Sequence, residues 1–100
     1  MKKLEKPVLV VDEQRRECFA RGERVPFTPN ELKVFSFIFA NRARAVSHAD
    51  ITAEVWGPRA RVDSFLVAQY IARVRRKLRR LAVPPIETVT RFGYRLATGY

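Results

Sequence analysis

The chain has 100 residues, of which 47% are apolar, and a formal net charge of +10. This length suits a single domain over residues 1–100 with a thin core, and the apolar content argues against disorder. Cys18 is the single cysteine, which excludes an internal disulfide framework, and no apolar run approaches the ~20 residues of a membrane span.

A small β-meander of two or three short strands is predicted at the N-terminus. Leu9–Val11 and Glu17–Ala20 are short β-type runs. Arg21-Gly22-Glu23 indicates a turn, after which Arg24–Phe27 resumes the pattern. Pro26 has no backbone donor, so this third piece is expected at a sheet edge or a strand end.

Three helices are predicted next. Thr28-Pro29-Asn30-Glu31 is a capping box with Pro at the first helical position. It favours a helix over about 29–40, although Val34–Phe39 partly alternates like a strand. After a loop at Asn41–Ala45, a second cap at Ser47–Asp50 predicts a short helix that buries Ile51, Val55 and Trp56 and ends at Gly57-Pro58.

The third helix is predicted to begin at Asp63 or Ser64 and to run to about Leu81, because Pro84-Pro85 prevents its continuation. Two runs, Ile86–Thr90 and Tyr94–Thr98, then flank Arg91-Phe92-Gly93, which indicates a hairpin with a glycine at its turn. The predicted fold class is therefore α+β, in the order β-meander, three helices, β-hairpin.

The third helix has one apolar stripe and one basic face. At about 100° per residue the stripe contains Val67, Ile71, Val74, Leu78 and Leu81. The opposite face contains Phe65, Gln69, Ala72, Arg73, Arg76 and Arg80, with Arg75, Lys77 and Arg79 on the flanks. The stripe is expected to dock on the core, which leaves the basic face outside.

A charged face of this kind is usually only solvated, but such faces tend to mix charges of both signs. From Ser64 to Leu81 there is no Asp or Glu, and the mutual repulsion of so many cations is best relieved by a polyanion. A helix fits the ~12 Å wide major groove of DNA. We expect Gln69 to contact adenine or another polar base edge, Arg73 and Arg76 to contact guanine or phosphate, and Arg80 to contact the backbone.

Other functions receive less support from the residues. His48 is the only histidine and has no partner set for a metal, and the sequence contains no nucleophile–base pair and no Gly-rich phosphate loop. We therefore expect neither an enzyme nor a cofactor. The alternative is a basic RNA-binding module of ribosomal type; binding to acidic membranes through the basic helix is a weaker third possibility.

Several separated motifs resemble the winged-helix effector domain of OmpR/PhoB-type response regulators. The resemblance extends from about Leu9 to Leu96, with the spacing between the blocks kept. It is carried by the Thr28–Glu31 cap with Leu32 and Phe35, by Ser47 and Val55-Trp56-Gly57, by Val67, Ile71, Arg73 and Arg75–Leu78, and by Ile86–Val89 and Gly93–Leu96.

The resemblance implies a winged helix-turn-helix that binds double-stranded DNA in a cytoplasmic two-component system. Residues 64–81 would be the recognition helix in the major groove, and the hairpin 86–96 would be the wing at the minor groove. The DNA-binding residues are then expected to be Ser47, Phe65, Gln69, Ala72, Arg73, Arg76, Lys77, Arg80, Thr88, Thr90 and Arg91.

The resemblance also implies partners. The loop 57–63 would contact RNA polymerase, and the domain would bind direct repeats as a head-to-tail homodimer. Such regulators usually carry a phosphorylatable receiver domain before this one, which these residues do not contain, and residues 1–6 are expected to be disordered or tag-like.

Two departures from the family pattern bear on base preference. The family often has Arg-Thr at the helix start, where this chain has Phe65-Leu66, so a usual positive contact is lost. The wing usually has its cation one residue earlier, whereas here Arg91 lies nearer the tip.

Overall fold

A computed structural model of the chain describes residues 8–79 and 85–98. Its elements confirm the predicted α+β order. They are β1 (Leu9–Asp12), β2 (Glu17–Ala20), β3 (Glu23–Arg24), α1 (Pro29–Ala40), β4 (Val46–Ser47), α2 (His48–Trp56), α3 (Ser64–Lys77), β5 (Ile86–Val89) and β6 (Gly93–Leu96). Residues 1–6, Arg80 and Leu81, for which the sequence led to predictions, lie outside the described residues.

The N-terminal sheet has the antiparallel order β1-β2-β3, with Leu9 opposite Ala20. The third strand lies at the sheet edge, as predicted, but its predicted bounds Arg24–Phe27 were wrong, because the residues that pair with β2 are Glu23–Arg24. The Val25 amide still donates to the Cys18 carbonyl at 2.7 Å. Pro26 then has no amide to continue the ladder, so the strand ends there.

Helix α1 spans Pro29–Ala40, as predicted, and it begins directly after the capping residue Thr28. The Thr28 hydroxyl accepts from the Glu31 amide, and the Glu31 carboxylate accepts from the Thr28 amide at 2.9 Å. The helix buries Val34, Phe35 and Ile38. The partial strand-like alternation of this segment does not prevent the helix, because the cap satisfies amides that would otherwise lack partners.

A second sheet, with the order β4-β6-β5, contains a strand that the sequence did not predict. Strand β4 has only two residues, and it pairs with β6 so that Val46 lies opposite Tyr94 and Ser47 opposite Gly93. The turn of the hairpin is also different from the prediction. Gly93 begins strand β6, and the left-handed residue of the turn is Arg91, with φ 62°.

The core lies between the three helices and the two sheets. Its largest fully buried side chains include Phe35, Ile38, Ile51 and Ile71. Cys18 is buried in it, and burial raises the pKa of its thiol to about 11. Helix α1 contacts both α2 and α3. Since α3 packs against α1 with its apolar side, this packing determines which side of α3 faces solvent.

Candidate nucleic-acid interface

Helix α3 is attached to the core by one stripe of side chains. Val67, Ile71, Val74 and Leu78 are all essentially inaccessible to solvent. Each such side chain contributes roughly 1.5–3 kcal/mol when it leaves water. Asp63 caps the helix by accepting a 2.9 Å hydrogen bond from the Leu66 amide. The predicted docking stripe is thus confirmed for all members that the structure describes.

The helix is shorter than the predicted 64–81 segment. It ends at Lys77, and Leu78 leaves helical geometry with φ −103° and ψ 7°. The Leu78 amide lies within hydrogen-bonding distance of three carbonyls, of Val74, Arg75 and Arg76. This tightening of the last turn lets the Leu78 side chain enter the core, and it satisfies carbonyls that a helix end would otherwise leave unpaired.

The outer face of α3 is exposed along its whole length. Phe65, Gln69, Ala72 and Arg76 follow one another at the spacing i, i+4, i+7, i+11 and form a single line, directly opposite the buried stripe. We call these four residues the outer line. From its N-terminal end it presents an aromatic ring, an amide, a methyl group and a guanidinium.

Arg73 lies beside the outer line on the same exposed side. Its guanidinium lies 5.2 Å from the centre of the Tyr70 ring, and Tyr70 in turn packs edge-on against Trp56 at 5.4 Å. Trp56 is half-buried at the end of α2. This chain of ring contacts restricts the orientation of Arg73 and joins it to the preceding helix.

Two of the cations predicted on the flanks of α3 make their polar contacts with other residues of the domain. Arg75 donates to the Thr88 hydroxyl at 2.8 Å and to the Ile86 carbonyl at 3.1 Å. Lys77 lies on the other side, where its ammonium pairs with the Glu31 carboxylate and donates to the Pro26 carbonyl at 2.8 Å. Arg79 is exposed, and Arg80 lies outside the described residues.

The electrostatic state of Glu31 follows from its surroundings. Burial alone would raise the pKa of this carboxyl group. Hydrogen bonds from Lys77 and Thr28, together with the positive charge of Lys77, outweigh burial and lower the pKa of Glu31. The carboxylate is therefore ionised at neutral pH and holds Lys77 against α1.

The hairpin of β5 and β6 presents a different set of groups. Thr90, Arg91 and Phe92 form its turn, and all three are exposed. Thr88 is also exposed, although its hydroxyl accepts from Arg75. Tyr94 is buried, and its ring packs edge-on against the His48 ring of α2 at 5.4 Å, which joins the hairpin to that helix.

Gly93 explains how the hairpin reaches the rest of the domain. A Cβ atom at this position would lie 1.9 Å from the Val46 carbonyl oxygen, so only glycine allows β6 to approach β4. The His48 amide adds a 3.3 Å hydrogen bond to the Phe92 carbonyl. The start of α2 and the tip of the hairpin are consequently held together.

Ser47 lies at this junction as the N-cap of α2. Its hydroxyl accepts from the Asp50 amide at 3.0 Å, and the Asp50 carboxylate accepts from the Ser47 amide. These hydrogen bonds to Ser47 are the main reason that the pKa of Asp50 is lowered. Arg44 lies 3.7 Å from the same carboxylate.

Charge is unevenly distributed over these surfaces. Arg76 and Arg91 have no carboxylate partner among the described residues, whereas Arg15 and Arg24, in the N-terminal part of the chain, both pair with Glu17. Within residues 8–79 and 85–98, no three His, Cys, Asp or Glu side chains cluster as a metal site. In the same ranges, no helix has the length and apolar character needed to cross a bilayer.

Sequence reasoning missed two features of this surface. Phe92 at the hairpin tip is 47% exposed and was not among the predicted contacts; its place beside Arg91 in the turn could have indicated it. Arg75 was expected only on a flank. No local signal could have identified its role, since its partners lie 11 and 13 residues further along the chain.

Comparison with known proteins places this arrangement in a family. The family described as "Transcriptional regulatory protein, C terminal" matches residues 22–96. The chain is 34% identical over 86 residues to the probable transcriptional regulatory protein TcrX of Mycobacterium tuberculosis, a match that covers 86% of this chain and 37% of TcrX. It thus spans little more than a third of that relative's length.

Solved structures agree with the fold. The DNA-binding domain of Bacillus subtilis CssR has a TM-score of 0.75 and 28% identity, covering 89% of this chain and 99% of that domain. The Klebsiella pneumoniae RstA DNA-binding domain, solved in complex with the RstA box, has a TM-score of 0.79 at 22% identity, covering 97% of this chain and 98% of that domain; that likeness bears on the fold alone. The chain belongs to the family of C-terminal domains of transcriptional regulatory proteins, and its fold is the winged helix-turn-helix of OmpR/PhoB-type response regulators.

Proposed function

We propose that this domain binds double-stranded DNA sequence-specifically, in the cytoplasm and without enzymatic activity, and thereby regulates transcription. Helix α3 enters the major groove, and the hairpin of β5 and β6 lies at the adjacent minor groove. The observation that carries the proposal is the outer line of α3, because it presents base-contacting groups opposite a face that is fully docked on the core.

The groups on α3 suit a division of labour. Gln69 offers an amide for adenine or another polar base edge, and Arg76 offers a fork for guanine. Arg73, restricted by Tyr70, contacts guanine or phosphate. Ala72 is small enough to let the helix approach the bases. Arg80 remains assigned to the DNA backbone, beyond the end of α3.

The wing and the start of α2 supply contacts on either side. Arg91 is at the exposed tip of the hairpin, where a guanidinium suits a narrow, negative minor groove. Thr90 and Thr88 offer hydroxyl groups to phosphates nearby. Ser47 begins α2, and a helix N-terminus favours a phosphate through its free amides and its dipole.

Lys77 receives a different role from the one predicted. Its ammonium is held by Glu31 and by the Pro26 carbonyl. Reaching a phosphate would leave the buried Glu31 carboxylate without its cation, which is costly. We therefore assign Lys77 to the stability of the domain instead of to DNA contact.

The RNA-binding alternative gains no support from these observations. The deep, narrow major groove of A-form RNA does not admit a helix with its side chains, whereas α3 presents a continuous exposed line that suits B-form DNA. The comparisons with known proteins also give no support to RNA binding.

Two partners belong to the same proposal. Arg59 and Arg61 are exposed in the loop 57–63 between α2 and α3, and this loop is the segment proposed to contact RNA polymerase. On direct repeats, two copies of the domain bind head to tail. Footprints of two half-sites about one helical turn apart would support that dimer.

Selection of bound sites from random duplex DNA, followed by footprinting, tests the function. We expect a defined sequence, and an affinity that falls by about three to five decades between ~50 and ~200 mM salt if about 6–10 phosphates are contacted. Equal binding to every duplex, a flat salt response, or tighter binding to single-stranded RNA loops would contradict the proposal.

A further inference from the structure

Phe65 is the most exposed large apolar side chain in the described part of the chain, with 70% of its surface accessible. It is the second residue of α3, directly after the Asp63 cap and Ser64. A phenylalanine exposed to water forgoes the free energy that burial of its ring would contribute. A ring in this position therefore suggests a surface that covers it in the functional complex.

The fold itself holds the ring outside. Val67 and Ile71 are buried on the opposite side of the helix, so Phe65 cannot turn inward unless the first turn of α3 unwinds. Asp63 stabilises that turn through its hydrogen bond to the Leu66 amide. The aromatic contacts of the described residues involve other rings and leave Phe65 out.

The position of Phe65 determines which surface it meets. It lies one turn before Gln69 on the outer line, so a major groove that receives the Gln69 amide also receives the ring. A phenyl ring cannot donate to phosphate or to a base edge. The apolar group that base pairs offer in the major groove is the C5-methyl of thymine.

We propose that Phe65 packs against the C5-methyl group of a thymine and makes the domain select thymine under the first turn of α3. This inference rests on the proposed function and adds the chemical group that one side chain recognises.

The test begins with the duplex selected by the wild-type chain. Each thymine in the protected region is replaced singly by deoxyuridine, which removes the methyl group and keeps the base pairing. We expect one thymine, or two adjacent ones, at which the replacement weakens binding about three- to tenfold, the value of burying roughly one methyl group or slightly more. Replacement elsewhere should change binding less than about twofold.

The same titrations with Phe65→Ala assign the effect to the ring. Phe65→Ala should bind the thymine duplex more weakly than the wild type and should bind the thymine and deoxyuridine duplexes equally. Phe65→Leu should restore part of the discrimination, because it restores apolar contact. Since the side chain is exposed, both variants should keep the thermal unfolding midpoint of the wild type.

Phe92→Ala is the matched control, since Phe92 is also an exposed phenylalanine but lies on the hairpin. When that thymine is replaced by deoxyuridine, Phe92→Ala should lose as much DNA affinity as the wild type does. The inference is overturned if no thymine responds to deoxyuridine, or if Phe65→Ala still discriminates between the two duplexes. If the chain selects no duplex sequence at all, the proposed function fails as well.

Discussion

Arg75 donates a 2.8 Å hydrogen bond to the hydroxyl of Thr88, and thereby joins α3 to β5. Its guanidinium also donates to the Ile86 carbonyl through two nitrogens, at 3.1 and 3.3 Å, and lies 5.8 Å from the centre of the Tyr94 ring. One side chain thus connects the helix proposed for the major groove with the hairpin proposed for the minor groove. The spacing between α3 and the hairpin depends on it.

The first prediction concerns this connection. Arg75→Lys keeps the positive charge but removes the planar fork, so we expect the domain to lose about 1–2 kcal/mol of unfolding free energy. DNA affinity should fall because the hairpin is displaced: protection of the DNA under the hairpin should weaken, and the salt slope should decrease by at most about one, the share of Arg91. Urea unfolding and footprinting measure the two effects.

Arg79→Lys is its control, because Arg79 is exposed on the same turn and the exchange keeps its charge. It should change neither stability nor the footprint. A normal hairpin footprint together with unchanged stability in Arg75→Lys would show that Arg75 does not position the wing.

The second prediction concerns Lys77 and Glu31. Lys77→Met keeps the apolar stem but leaves a buried carboxylate without its cation, so we expect a loss of roughly 1–3 kcal/mol at pH 7. Urea unfolding of both proteins measures it. Lys33→Met removes an exposed lysine from α1 and should cost less than about 0.5 kcal/mol.

The pH dependence of this pair has a defined sign. The pKa of Glu31 is lower in the folded domain than its ordinary value, so its pairing stabilises the fold above the ordinary carboxyl pKa of about 4.3. That contribution is lost as the pH falls through the lowered pKa. The stability difference between the wild type and Lys77→Met should therefore shrink on acidification. A constant difference between pH 7 and pH 3 would contradict an electrostatic role.

The third prediction concerns Gly93. Gly93→Ala would place a Cβ atom 1.9 Å from the Val46 carbonyl oxygen, and backbone must move to relieve the clash. We expect a loss of about 1–3 kcal/mol and weaker DNA binding, because β4 and β6 separate and the hairpin is displaced. Thermal unfolding and DNA titration measure both.

Gly22→Ala provides the comparison for this variant. Gly22 has φ 83° and open space around it, so alanine there is strained by roughly 1–2 kcal/mol without a clash. Gly22→Ala should lose stability, but its DNA affinity should equal that of the wild type at temperatures at which the variant is folded. If Gly93→Ala is as stable as the wild type, β4 does not approach β6 as closely as the structure shows.

The fourth prediction concerns Arg91, which has φ 62° at the hairpin turn. Asparagine tolerates this left-handed conformation better than arginine does. Arg91→Asn should therefore keep or slightly raise the unfolding midpoint, while DNA affinity falls and the slope of log affinity against log salt decreases by about one.

Arg16→Asn is a close control for Arg91→Asn. Arg16 has φ 55° and is exposed in the turn between β1 and β2, so the substitution removes the same charge from the same backbone conformation on the N-terminal sheet. It should leave the salt slope and the footprint unchanged. Identical DNA binding by both variants would remove Arg91 from the proposed interface.

The fifth prediction separates base contact from phosphate contact at Arg76. Arg76→Ala should weaken binding to the selected site by about 1–3 kcal/mol and relax the preference at one base pair. Titrations against the selected duplex and single-base variants of it measure this. If every sequence weakens equally and the salt slope falls by about one, Arg76 contacts phosphate. Lys33→Ala, on α1, should change neither quantity.

The local features of the fold could be predicted from the sequence. Capping hydrogen bonds join residues three apart, so Thr28 with Glu31 and Ser47 with Asp50 were recognisable before the structure. The buried and exposed faces of α3 follow from helical periodicity, since Val67 and Ile71 lie on one side and Phe65 and Gln69 on the other.

Contacts between distant segments were decided only by the tertiary structure. Strand β4 has two residues and is a strand only because β6, far along the chain, pairs with it. Arg75 and Lys77 are both cations on the flanks of α3, two residues apart in the chain, and sequence alone treats them alike. They differ because β5 packs beside one and α1 beside the other, and a hydrogen bond forms only where the fold brings donor and acceptor within about 3 Å.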